Sequence, residues 1–192
     1  AIRLGGALAE LMPDEPEAQG LLALMLLLEA RRAARFDADG EIVLLAAQDR
    51  GLYDAATVTA GRAALDRALA LRGRGPYVVQ AAIASLHAEE PPDWEQIAAL
   101  YAELARLTDS PVVELNRAVA LAEAHGPAAG LTVIERIEGL DSYRYLHSAR
   151  GELLARSGRT DEAIAAFERA LELIDDEAER RLIARKLAAI DR

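Results

Sequence analysis

Ser85, Ala118 and Gly151 stand 33 residues apart, and 12 residues beyond each begins a helical frame that recurs at the same interval. In "DWEQIAALYAELARL" the frame is Ile97, Tyr101 and Leu104. In "AHGPAAGLTVIERIEGL" it is Gly130, Ile134 and Ile137, and in "GRTDEAIAAFERALEL" it is Ala163, Phe167 and Ala170. Spacings of four and three put three residues on one face of a helix. Small residues on that face admit a partner helix, and the large ones wedge against the next pair. Helix pairs with a period of this length are the signature of tetratricopeptide-type repeats. Aromatic residues are only 4% of the chain, and Ala and Leu dominate, which favours helices over a β-sandwich.

Turn residues mark the same boundaries. Gly75-Pro76 opens a helix with Pro in its first turn. Pro91-Pro92-Asp93 separates two helices, with Asp93 as N-cap, and Asp109-Ser110-Pro111, Gly126-Pro127 and Thr160 or Asp161 begin the later ones. The tail sets Leu182, Ile183, Leu187 and Ile190 on one face, as a capping helix requires. Before the repeats, "AIRLGGALAEL" and "EAQGLLALMLLLEARRAAR" read as a helical hairpin turning at Met12-Pro13-Asp14, the second helix apolar almost all round and so central. Asp39-Gly40 between alternating residues predicts a short β-hairpin near residues 35–45, and "AATVTAGRAALDRALAL" predicts another helix with the frame Ala64, Ala68 and Leu71. The expected fold is all-α: a right-handed tetratricopeptide-like superhelix of helical hairpins with one small β-hairpin. Residues 1–74 form a non-repeat segment, 75–108, 109–141 and 142–174 the three repeats, and 175–192 the cap.

A net charge of −10 opposes direct binding to a phosphate backbone, although Arg31, Arg32 and Arg35 form a short basic cluster. There are no cysteines, which excludes disulfides and thiolate metal sites and is compatible with the cytoplasm. The longest apolar run, Gly20 to Leu28, is well short of the roughly 20 residues a membrane span needs. The chain opens at Ala1 without an initiator Met or a signal peptide, and is expected to be cut from something longer.

No catalytic machinery is visible. Asp37, Asp39, Gly40 and Glu41 suggest a calcium loop, but the first ligand place holds Arg35 and the last Ala46, so a tight turn is expected and no metal site. His87, His125 and His147 lack zinc-ligand spacing, and neither a Gly-x-Ser-x-Gly elbow nor a glycine-rich phosphate loop occurs, so neither an enzyme nor a cofactor is expected. The candidate binding residues are polar groups on otherwise apolar helices. Arg117 and Arg150 occupy equivalent places 33 residues apart, Asn116 and His147 lie near them, and Gln80 and His87 lie on the preceding first helix. Two readings stand open. These groups bridge carboxylates such as Glu114 or Glu152 as structural ties, or they form a ladder along a groove that holds an acidic or polar peptide. Asp49 and Arg50 of "QDRGLYD" pose the same choice between pinning a loop and forming an interface. Trp94 and Tyr101 are read as packing between helices, or as a binding hot spot if exposed.

The blocks "LLALMLL", "DADGEIVLLAAQDRGLYD", "GPYVVQAAIASLHAE", "DWEQIAALYAEL", "SPVVELNRAVALAE" and "GRTDEAIAAFERALEL", in this order, give the chain a resemblance to one family. It resembles the C-terminal tetratricopeptide-repeat extension of bacterial extracytoplasmic-function sigma factors. The likeness runs over essentially the whole chain, and the promoter-reading and polymerase-binding sigma regions 2 and 4 of that family are absent from it. The resemblance implies a cytoplasmic regulatory domain that contacts those sigma regions or RNA polymerase and controls transcription initiation. A free-standing scaffold for a partner peptide and a small-molecule sensor built on the Arg/His ladder are the alternatives.

Overall fold

The computed structural model describes residues 1–190, and among them the regular structure is α-helical. The chain divides into two compact units, Ala1–Thr108 and Asp109–Arg192. No helix among the described residues is long and apolar enough to cross a membrane.

The first unit holds α1 (Ile2–Leu11), α2 (Pro16–Ala30), α3 (Ala55–Ala70), α4 (Pro76–His87) and α5 (Trp94–Thr108). Helix α2 is the hub, packing on α1, α3 and α4, as its apolar circumference predicts. Ala23 at its middle meets Ala64, Ala68, Val78 and Ala81 in the core. Close approach of α2 and α4 depends on Gly20, where a Cβ would stand 2.8 Å from the Val78 backbone nitrogen. The one buried glutamine of α2, Gln19, is satisfied on both sides: its Nε2 donates to the Ala9 carbonyl at 3.0 Å and its Oε1 accepts from Arg67 Nε at 3.3 Å.

Helix α4 begins Gly75-Pro76 and has no capping side chain of its own. Glu17 supplies one from the first turn of α2, accepting from the backbone N–H of Tyr77 at 3.1 Å and of Val78 at 3.2 Å. A negative group at a helix start satisfies orphan donors and the helix dipole together. Glu17→Ala is expected to cost about 1–2 kcal/mol, measured by urea unfolding, with Glu17→Gln intermediate because the amide oxygen still accepts.

Between α2 and α3 the chain forms single 3₁₀ turns at Arg32–Ala34, Leu45–Ala47 and Arg50–Leu52. The β-hairpin expected at residues 35–45 contracts to one antiparallel bridge, Phe36 to Ile42, and no named strand occurs among the described residues. Its tight turn does form. Gly40 takes φ +77°, and Asp37 Oδ1 accepts from the backbone nitrogens of Asp39 at 3.0 Å and Glu41 at 2.9 Å. The ladder stops after Val43 donates to Arg35, because the 3₁₀ turn from Leu45 onward bends the second arm away.

The second unit holds α6 (Pro111–His125), α7 (Pro127–Ile134), α8 (Arg144–Arg156), α9 (Thr160–Glu172) and α10 (Glu177–Ile190). Sequential neighbours pack in pairs, α6 on α7, α7 on α8, α8 on α9 and α9 on α10. Ala118, Gly130, Ile134, Gly151, Ala163, Phe167 and Ala170 are buried, so the recurring frame faces inward here. Ile137 falls outside its helix, since α7 ends at Ile134, and is half-buried. On α10, Ile183 is buried, and Leu187 and Ile190 pack around the cluster of Phe167, Ala170 and Ile174. Ion pairs tie these helices further: Arg144 to Glu179 at 2.5 Å, Arg156 to Glu123, and Lys186 to Glu152.

Candidate functional site

The eight binding candidates read from sequence fall into two groups. Six make local structural ties or point outward. Gln80 donates to the Pro76 carbonyl of its own helix at 3.1 Å. Arg117 pairs with Glu114 one turn back at 2.8 Å, Asn116 is exposed, His147 Nε2 lies 2.8 Å from the Asp141 carbonyl, and Arg150 is exposed. Asp49 caps the turn that follows it, accepting from Gly51 N at 2.8 Å. The candidate ladder does not come together around a shared partner in the second unit.

Arg50 and His87 do come together, and with them come Arg31 and Arg35, which are not among the eight candidates. His87 closes α4, Arg31 follows α2, and Arg35 and Arg50 flank two 3₁₀ turns that pack on each other. The charges of Arg31 and Arg50 act on His87, and the charge of Arg35 acts on Arg31. Around them stand Trp94, edge-on to His87 with ring centroids 5.3 Å apart, and the hydroxyl-bearing rings of Tyr53 and Tyr101, both within electrostatic reach of Arg31. Trp94 and Tyr101 are half-buried, so the packing reading of both is close to what they do.

The loop that carries this cluster is firmly held. Gln48 is buried, donating to the Val43 carbonyl at 3.1 Å and accepting from the Tyr53 hydroxyl at 3.0 Å. Asp54 N donates to the Ala30 carbonyl at 2.9 Å, and Arg35 Nη2 donates to the Leu28 carbonyl at 2.8 Å. The "QDR" block is therefore a clasp: Gln48 seals it, Asp49 turns it, and Arg50 folds back to donate to the Gln48 carbonyl at 3.4 Å. The same loop nevertheless exposes Phe36, Leu44 and Leu52 by 56%, 43% and 53%, so its pinned backbone presents apolar side chains to solvent.

Electrostatics inside the cluster are unfavourable. Burial, joined by the charges of Arg31 and Arg50, pushes the His87 imidazole down to about 4. Burial first and Arg35 second lower the pKa of the Arg31 guanidinium. Burial raises the Tyr101 hydroxyl, against the pull of Arg31. Arg50 has one carboxylate, Glu90 at 3.1 Å, whose side chain is 71% exposed. Among the described residues, the buried side-chain nitrogens and oxygens without a hydrogen-bond partner are Arg31 Nε, Arg35 Nε, Arg50 Nε and His87 Nδ1, all in this one place. Buried polar atoms are nearly always satisfied, so four orphans in one cationic cluster identify the site. Its chemistry is that of stabilising negative charge. Among the described residues no group of His, Asp or Glu is arranged to hold a metal ion.

In the sequence Arg31 and Arg35 stand, with Arg32, only as a short basic cluster. Their approach to His87 depends on α2 packing against α4 and on the loop folding back, contacts between residues more than fifty apart in the chain. The signal open to a sequence reading was Arg50 within a block foreign to the repeat.

The class defined so far is an all-α protein of short packed helices with a cationic cluster under an ordered loop. Residues 1–69 match a family described as of unknown function, DUF6596, and the match takes in Arg31, Arg35 and Arg50 but stops before His87. Over 192 residues the chain is 48% identical to an uncharacterized protein of Rhizobium meliloti (strain 1021), covering 97% of this chain and 45% of that protein. The chain thus spans less than half the length of the curated relative it matches. No solved structure matches it.

Proposed function

We propose that this chain is a regulatory protein-interaction domain of an alternative sigma factor, acting in the cytoplasm on its own sigma regions or on RNA polymerase. The observation that carries the reading is the loop of residues 36–54. It is pinned by Gln48, Asp49, Tyr53 and Asp54 and still exposes Phe36, Leu44 and Leu52. Ordered loops that present apolar side chains beside charge supply binding anchors at low entropic cost. This loop is also the block of the sigma-factor resemblance that repeat packing does not require. The acidic overall charge supports a division in which promoter contacts lie in other regions.

The repeat character belongs to the same proposal. Helices α4–α5, α6–α7 and α8–α9 are tetratricopeptide-type hairpins, a reading supported by the 33-residue interval and by the burial of Ile97, Gly130, Ile134, Ala163 and Phe167.

Calorimetric titration of the chain against the separately expressed sigma regions of its own full-length protein tests the function. Micromolar or tighter association is expected, weakened about tenfold or more by a Leu52→Asp/Phe36→Asp double substitution, which removes exposed apolar anchors without touching the core. Absence of heat at high protein concentration would end the sigma reading and leave an external partner.

A further inference from the structure

We infer that the cluster of Arg31, Arg35, Arg50 and His87 is an anion-binding site that receives a carboxylate side chain from an acidic, partly apolar peptide segment. This names the partner chemistry of the surface proposed above and rests on that surface being an interface, though not on the partner being a sigma region.

Three observations meet here. The first is an excess of positive charge over countercharge. Arg31 Nε has no partner, Arg35 Nη2 reaches the Leu28 carbonyl, and Arg50 Nη1 meets the Gln48 carbonyl at 3.4 Å and the largely exposed Glu90 at 3.1 Å. Nearby carboxylates are engaged elsewhere: Glu29 with Arg32 at 2.9 Å, Glu89 with Arg62 at 3.6 Å, and Asp49 with Gly51 N. In a chain with 32 acidic residues against 22 Lys and Arg, three arginines have converged where one carboxylate, the largely exposed Glu90, meets one of them. Like charges brought out of water raise the energy of the free fold, and an incoming anion reverses the sign of that term.

The second is donor geometry. A guanidinium fork matches a carboxylate in a two-bond pairing that lysine cannot copy, and all three guanidinium groups hold a buried Nε–H without a partner. The neutral His87 imidazole adds a further N–H that can donate.

The third is what surrounds the charge. Phe36 adjoins Arg35 in sequence and Leu52 lies two residues past Arg50, and both are more than half exposed. A bare inorganic anion has no use for such neighbours, whereas an acidic segment with apolar side chains engages both. A nucleic-acid strand is opposed by the net charge of −10 around a site with only three arginines.

The test uses the whole chain, a fluorescein-labelled dodecapeptide of Asp, Glu, Leu and Phe, and a control peptide in which Asn and Gln replace the acids, read by fluorescence anisotropy. The acidic peptide is expected to bind and the amide control is not. Arg31→Met, which keeps the aliphatic stem and removes the charge, is expected to weaken binding about tenfold or more, while Arg150→Met leaves it unchanged. The ligand-free Arg31→Met protein is expected to melt above the wild type, because an unpaired cation has been removed from a like-charged cluster. A structural arginine would do the opposite, so a lower melting point with unaltered peptide binding overturns the inference. Equal binding of both peptides overturns it too, as does inorganic phosphate displacing the acidic peptide at equal concentration. Acidic-peptide binding without sigma-region binding upholds the site and removes the sigma reading. Sigma-region binding indifferent to Arg31→Met does the reverse.

Discussion

Replacing Phe167 with Ala is expected to destabilise the second unit by about 3–5 kcal/mol, the largest single effect in the chain. Phe167 is 1% exposed and heads the fully buried side chains by volume. Its ring fills the junction of α8, α9 and α10, with Ala170, Ile174 and Ile183 beside it and Leu171, Leu187 and Ile190 closing the periphery. On the remaining side it lies against Gly151, where a Cβ would stand 2.9 Å from the ring. Nothing large is poised to collapse into the space Ala would leave, so transfer and cavity costs add. A domain stabilised by about 0.05–0.15 kcal/mol per residue keeps little margin after such a loss. Urea unfolding followed by circular dichroism checks it. The complementary substitution Gly151→Ala pushes into the same ring and is expected to cost about 1–3 kcal/mol, partly relieved by adding Phe167→Leu. A loss below about 1 kcal/mol for Phe167→Ala would mean the junction repacks freely.

That junction was open to reading because its signals are local. Small residues at Gly151, Ala163 and Ala170 announced a close helix contact, and Pro76, Pro111 and Pro127 each stand in the first turn of a helix. Asp93 caps α5 through Gln96 N at 2.9 Å, where the turn residues placed it. Legibility failed where one side chain's role depends on distant segments. Asp39-Gly40 correctly marks a turn, but strand length is decided by what the arms pack against, and the second arm leaves at Leu45. Arg117 and Arg150 share a repeat position but not a local environment, since Arg117 is paired within its helix and Arg150 is exposed. Arg117 instead settles on Glu114, the structural tie its own helix spacing allows. The cationic cluster was half visible, through Arg50 and His87. Its other half needed the packing of α2 against α4, which no pattern within either helix encodes.

Acidification is expected to weaken the first unit between about pH 6.5 and pH 4, with His87 as the principal cause. The imidazole is held down to about 4 by burial, Arg31 and Arg50, whereas in the unfolded chain it takes its ordinary value near 6.5. Between those two values the unfolded chain binds a proton that the folded chain refuses, so stability rises with pH through the window and falls as pH drops through it. The shift corresponds to at most about 3 kcal/mol, and to less once solvent screening of this half-buried ring is allowed for. Carboxylates held below their usual range, Asp54 by its cap on Thr57 and Glu179 by Arg144 among them, lose their contribution only further down, as pH falls through their own lowered values. They leave the upper part of the window to His87. Urea unfolding read at Trp94, whose ring contacts His87, resolves the effect between pH 7 and pH 5. His87→Gln, which keeps a donor and cannot protonate, is expected to flatten the pH dependence over that interval. An unchanged slope in the variant would assign the acid sensitivity to other groups. An anion seated among Arg31, Arg35 and Arg50 reverses the main electrostatic obstacle to protonating the ring, so saturating acidic peptide is expected to raise the His87 pKa and shrink the acid loss in the wild-type chain.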